Sequence, residues 1–132
     1  SMERIYVHRD VHDAFVAAFV RRVEGMRLSG TVGWGADMGT LASERQLAKV
    51  GQHVDDAVAR GAIVLAGGRA RPDIAPFAYE PTVLAGVTED MLLCDEETFG
   101  PVVAPSACRL GQRQRRVRGL LGQCPCADGR HA

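Results

Sequence analysis

No stretch of about 18 consecutive apolar residues runs through this sequence, so neither a membrane-spanning helix nor a membrane partner is expected. A basic start followed by an apolar centre, the mark of a secretory signal, is also lacking, which makes the cytoplasm the expected compartment. The cysteines, Cys94, Cys108, Cys124 and Cys126, are too unevenly spaced for a disulfide framework, and without a secretory signal they read as free thiols. Net charge is lacking too, but the zero conceals a split. Residues 1–104 carry 10 Lys+Arg against 15 Asp+Glu, a balance of −5, whereas residues 105–132 carry six Arg against the single Asp128, a balance of +5.

What is present suits one domain of ordinary soluble composition, since 132 residues are enough for a core but short for two domains. Arg4 to His8 is rich in β-formers and reads as a buried strand. A helix follows, with Asp10 as its N-cap and Val11, Phe15, Phe19 (with Ala18), Val23 and Met26 along one face for about five turns. Gly33, Gly35 and Gly39 punctuate the next connection. Their spacing is not the dinucleotide pattern and a helix precedes them, so they are expected to form a structural loop and not a phosphate cradle.

Ser43 with Gln46 forms a capping box for a second helix, in which Leu47, Val50, Val54 and Val58 make the stripe and Gly61 the end. Residues 62–66 then read as a buried strand, and residues 80–84 as another whose proline marks a strand start or an edge. Helical connections between apolar strands predict an α/β fold with a largely parallel sheet. From Pro105 onward both periodicities stop. Two segments are therefore expected: residues 1–104 as the folded part and residues 105–132 as an irregular or disordered Arg/Cys-rich tail.

The stretch richest in chemistry is Glu96-Glu97-Thr98-Phe99-Gly100-Pro101-Val102. A carboxylate here could accept two hydrogen bonds from a vicinal diol such as a ribose, and a ring two residues on could pack against a flat heterocycle. The same run would also serve as a solvated acidic turn before a strand. Its company decides between the two.

Glu3-Arg4-Ile5-Tyr6-Val7-His8, Asp37-Met38-Gly39-Thr40-Leu41, Asp56-Ala57 with Gly61-Ala62, Gly67-Gly68, Tyr79 to Leu84, Asp90-Met91 and the Glu96 to Val102 run follow one another in an order and spacing that resembles the aldehyde dehydrogenase superfamily. The resemblance covers residues 3–104. Within the superfamily, Glu3 to Val7, Ser43 to Leu47 and His53 to Val58 are most similar to bacterial, actinobacterial, succinate-semialdehyde dehydrogenases. The resemblance implies part of a Rossmann-like catalytic domain and NAD(P)-dependent oxidation of an aldehyde to a carboxylate through a cysteine thiohemiacetal and thioester. It also implies a homo-oligomeric parent with a small-molecule aldehyde as substrate. Glu97 then corresponds to the glutamate that holds the nicotinamide ribose, and Phe99 to the aromatic residue beside the nicotinamide.

The family's nucleophilic cysteine, its general base, its oxyanion-hole asparagine and most of its dinucleotide domain find no counterpart in these residues. No catalytic residue is therefore assigned, the chain alone is expected to be inactive, and neither NAD nor NADP is expected to bind it tightly. Cys94, close to Glu97 but with no His beside it, is expected to be a structural thiol. His8, His12 and His53 are expected on the surface or in packing. Past Ala104 the family pattern is lost, as a shifted reading frame in a GC-rich gene would produce, and unpaired strand edges would favour self-association.

A different class of function would place the work in the tail. Arg113, Arg115, Arg116 and Arg118 form a basic cluster, and Cys108, Cys124, Cys126 and His131 are potential zinc ligands, so a small binding or scaffold module is the alternative. However, no aromatic interleaves the arginines and Cys124-x-Cys126 departs from the usual ligand spacing. Neither nucleic acid nor a metal is expected.

Overall fold

The structure, a computed structural model, describes residues 3–31 and 33–108. Among them the elements run β1 (Arg4–His8), α1 (Arg9–Glu24), α2 (Glu44–Ala59), β2 (Ile63–Ala66), β3 (Thr82–Ala85), α3 (Leu92–Asp95) and β4 (Val102–Cys108). The tail residues Arg113, Arg115, Arg116, Arg118, Cys124, Cys126 and His131 lie outside the described residues.

The strands form one sheet in the order β1-β4-β3-β2. β4 runs parallel to both β1 and β3, and β2 is antiparallel to β3 with a register shift between Val64 and Ala66. The sheet is thus mixed but mostly parallel, as the sequence pattern predicts. The antiparallel pair arises where residues 67–81 connect β2 to β3 without a helix, whereas β3 reaches its parallel neighbour β4 by a crossover through α3.

β4 corrects the expectation that regular structure stops at Pro105. It continues to Cys108 in register with β1, from Arg4 opposite Ala104 to His8 opposite Cys108. The Ala104 N–H donates to the Glu3 carbonyl at 2.8 Å, so the next backbone nitrogen, that of Pro105, faces the β3 side. On that side the ladder with β3 stops at Val103, although β3 itself runs on to Ala85, so proline's missing N–H leaves no ladder bond unmade. The pairing comes from β1, about a hundred residues away in sequence, and so leaves no local pattern.

α1 begins directly at the end of β1. His8, not Asp10, is the N-cap, its Nδ1 accepting from the Asp10 N–H at 3.4 Å, and Asp10 instead places its charge in the first turn. The helix ends at Glu24, so Met26 lies beyond it. Its buried stripe is also rotated from the expected one: Val11 is 55% exposed, while Phe15, Val16, Phe19 and Val20 are half-buried and Val23 is buried. The Phe15 and Phe19 rings stack with centroids 5.6 Å apart.

α2 follows its sequence signals closely. The Ser43 hydroxyl accepts from the Gln46 N–H at 3.2 Å. At the other end Gly61 takes φ +100°, its N–H donating to the Val58 carbonyl and that of Ala62 to the Ala57 carbonyl, a Schellman ending that needs a left-handed residue.

Helices cover both faces of the sheet. On one, Val50, Val54 and Ala57 of α2 pack with Leu84, Val102 and Ala104 of the sheet and with Met91 and Leu93 around α3. On the other, Val23 of α1 meets Ala66 and Val83, with Phe19, Val20 and Leu65 at the margin. Adjacent residues Val83 and Leu84 serve opposite faces, as the strand's two-residue period requires. β2 is an edge strand whose Ile63 and Val64 are exposed, so the expectation of a wholly buried strand at residues 62–66 is corrected. Pro81 starts a central strand and does not mark an edge.

Candidate functional site

Between α3 and β4 the chain makes a turn, residues 96–100, in which Thr98 is fully buried while Glu97 and Phe99 on either side are exposed. Phe99 has φ +50°, the left-handed region. A non-glycine residue there costs about 1–2 kcal/mol and persists only where surrounding contacts dictate it.

Those contacts come from Glu3, just before β1, and from α2. The carboxylate of Glu3, itself buried, accepts from the N–H groups of Thr98 at 2.7 Å and Phe99 at 2.9 Å through Oε1. The side-chain amide of Gln46 donates to the carbonyl oxygens of the same two residues, each at 2.7 Å. Both peptide donors and both acceptors of the dipeptide are thereby engaged by side chains. A third tie joins His53 Nδ1 and the Thr98 hydroxyl at 2.9 Å. Gly100 closes the turn against α2, where a Cβ would lie 2.4 Å from Val50 Cγ2 and thus could not be accommodated without movement.

The paired carboxylates seen in the sequence part company here. Glu96 Oε2 faces α2, 3.7 Å from Lys49 Nζ and 3.6 Å from His53 Nε2, whereas Glu97 is exposed, as is Phe99 at 64%. Burial holds the His53 pKa below the ordinary histidine value, the Lys49 ammonium lowers it further, and Glu96 and Glu3 oppose both. A cleft of about 240 Å³ is bounded by residues 38–41, Tyr79, Gly100 and Pro101. Pockets that enclose a drug-sized ligand span about 300–1,000 Å³, so this cleft is smaller than such a pocket.

The sequence singled out Glu97 and Phe99, and the structure places them on one clamped turn. It missed Glu3, Gln46 and His53 as the residues that hold the turn. Gln46 carried a signal, but for the other half of a capping box: its side chain leaves Ser43 and reaches residues 98 and 99. Of the two expected readings of His53, surface or packing, its 2% exposure bears out packing. Cys94 is buried with its pKa raised first by desolvation, and its carbonyl accepts from Arg4 Nη2 at 2.9 Å, the surroundings of a structural thiol. Cys108 ends β4 opposite His8, and among the described residues no group of three or more His, Cys, Asp or Glu side chains could hold a metal. Asp37 closes the glycine-rich loop: its carboxylate accepts from the Arg27 N–H at 2.8 Å, which holds its pKa below the ordinary value, and its own N–H donates to the Arg27 carbonyl.

The sheet is mostly parallel with helices on both faces, an α/β architecture shared by many enzymes, and it presents an acid–aromatic turn clamped by Glu3, Gln46 and His53. The chain belongs to the aldehyde dehydrogenase family, which residues 1–109 match. It is 58% identical over 104 residues to a Mycolicibacterium smegmatis protein named "putative succinate-semialdehyde dehydrogenase (NADP+)", covering 79% of this chain and 20% of that one. Over 101 residues it is 45% identical to succinate-semialdehyde dehydrogenase (NADP+) 1 of Schizosaccharomyces pombe, covering 76% and 20%. An aldehyde dehydrogenase from Bacillus cereus solved in complex with NAD+ superposes with a TM-score of 0.74 at 33% identity, over 80% of this chain and 21% of that one. The chain therefore spans about one fifth of the length of the curated relatives it matches.

Proposed function

We propose that these residues form the nicotinamide-facing edge of an aldehyde dehydrogenase catalytic domain whose substrate is succinate semialdehyde. The observation that carries this reading is the strained Phe99, held with every peptide group of its dipeptide engaged while its ring and the neighbouring Glu97 stay exposed. Strain maintained against solvent has a use when the two side chains must meet something flat and polar. The Glu97 carboxylate would accept from the two ribose hydroxyls, and the Phe99 ring would pack beside the nicotinamide. When bound, the nicotinamide supplies the hydride acceptor; the chain's residues orient it. The relatives' names support succinate semialdehyde as the substrate and NADP+ as the dinucleotide.

The residues described contain a positioning element and no assigned nucleophile, so the purified chain should produce no aldehyde-dependent absorbance change at 340 nm with either dinucleotide. When residues 3–108 replace the matching segment of a full-length relative, turnover should be retained. Glu97→Ala in that protein should then lower it on the order of 100-fold, the scale of a misplaced reactant. Turnover unaffected by Glu97→Ala would remove the ribose role.

A further inference from the structure

We propose that His53 is a positioning residue for the turn: as a neutral ring with its hydrogen on Nε2 it accepts the Thr98 hydroxyl hydrogen at Nδ1, and so fixes the arrangement of Glu97 and Phe99. The inference rests on the reading that this turn faces a cofactor, but its geometry stands independently.

Both partners are withdrawn from water, His53 being 2% and Thr98 0% exposed. Glu96 Oε2 lies 3.6 Å from Nε2, beyond a direct hydrogen bond, and its negative charge on that side of the ring favours the tautomer with the hydrogen on Nε2. Nδ1 then offers a lone pair, and the Thr98 hydroxyl 2.9 Å away donates to it. Carboxylate, imidazole and hydroxyl in that order are the parts that activate a nucleophilic hydroxyl elsewhere. Here the hydroxyl is sealed beneath the turn, where no substrate carbon can reach it, so what the relay delivers is a fixed shape.

Protonation would reverse that bond. A second hydrogen at Nδ1 would donate to the Thr98 oxygen, and the hydroxyl hydrogen would have to turn away and lose the ring as its acceptor inside a fully packed site. The charged groups that face the ring are Lys49 from α2, Glu96 from the turn and Glu3, the residue before β1. Burial and Lys49 disfavour the cation, the two carboxylates favour it, and burial is the largest influence, so the ring stays neutral at neutral pH.

The test is nitrogen NMR of the ring in the full 132-residue chain, with backbone and side-chain resonances followed through a pH titration. The expected result is the Nε2–H form at pH 7.5, and a step in the Glu97, Thr98 and Phe99 resonances with the same midpoint as the ring, below 6.5. His53→Gln keeps a side chain able to hold Thr98 but unable to titrate, and should retain the turn's resonances while losing the step. An Nδ1–H ring, resonances at 97–99 that stay still while His53 titrates, or a step that survives in His53→Gln would each overturn the proposal. None of these readouts involves a nucleotide, so their failure is distinct from loss of the cofactor reading.

Discussion

On the α2 side of the sheet Val50, Leu84, Met91 and Val102 have no exposed surface, whereas on the α1 side the buried cluster is Val23, Ala66 and Val83, fringed by half-buried Phe19, Val20 and Leu65. The same strands thus support a dense layer and a thin one. The dense layer is also the one that holds the turn, because Gln46, Val50 and His53 all project from α2. Stability and site geometry are therefore coupled on one face and separable on the other.

The strongest way to break this comparison is to delete side chains from each layer. Leu84→Ala should cost about 2–5 kcal/mol, a large share of the stability of a domain this size, while Phe19→Ala on the half-buried stripe should cost on the order of 1 kcal/mol. Denaturant melts of the two variants measure the difference, and equal losses would mean that the layers do not differ energetically.

Gly100→Ala comes next, since its new methyl meets Val50 and overpacking costs about 1–3 kcal/mol. Adding Val50→Ala should recover part of that loss. A double-mutant cycle with no coupling would show that α2 does not press on the turn.

A smaller effect of opposite sign is expected at Phe99. Because its ring is mostly exposed and its backbone left-handed, Phe99→Gly should raise stability by about 0.5–1 kcal/mol while removing the proposed nicotinamide contact. A stability loss would show that the ring packs more than its exposure implies.

Acid should reach the dense layer first. The folded-state pKa of His53 is depressed, so below the ordinary histidine value of 6.5 the unfolded chain binds the extra proton more readily. His53's contribution is complete above pH 6.5 and is lost as pH falls toward the folded value. Asp37, Asp56 and Asp90 are depressed from 3.8 and lose theirs only at lower pH. Thermal melts between pH 7 and 5 should therefore show a decline that His53→Gln flattens.

What the sequence made legible is what neighbouring residues decide. Ser43, the Val50–Val54 spacing and Gly61 announce α2 because caps and stripes act within a few residues. Glu97 and Phe99 stood out because their motif is contiguous. The clamp did not, since Glu3, Gln46 and His53 meet residues 98 and 99 across 45 or more positions. The same distance hid the end of β4, whose partner strand opens the chain.

Gln46 joins the first turn of α2 to the carbonyls of Thr98 and Phe99, so a break in that helix end frees the turn as well. Opening is then a shared event. In hydrogen–deuterium exchange the amides of Thr98 and Phe99, although on a turn at the protein surface, should exchange no faster than those of α2's first turn, and one excursion should expose both.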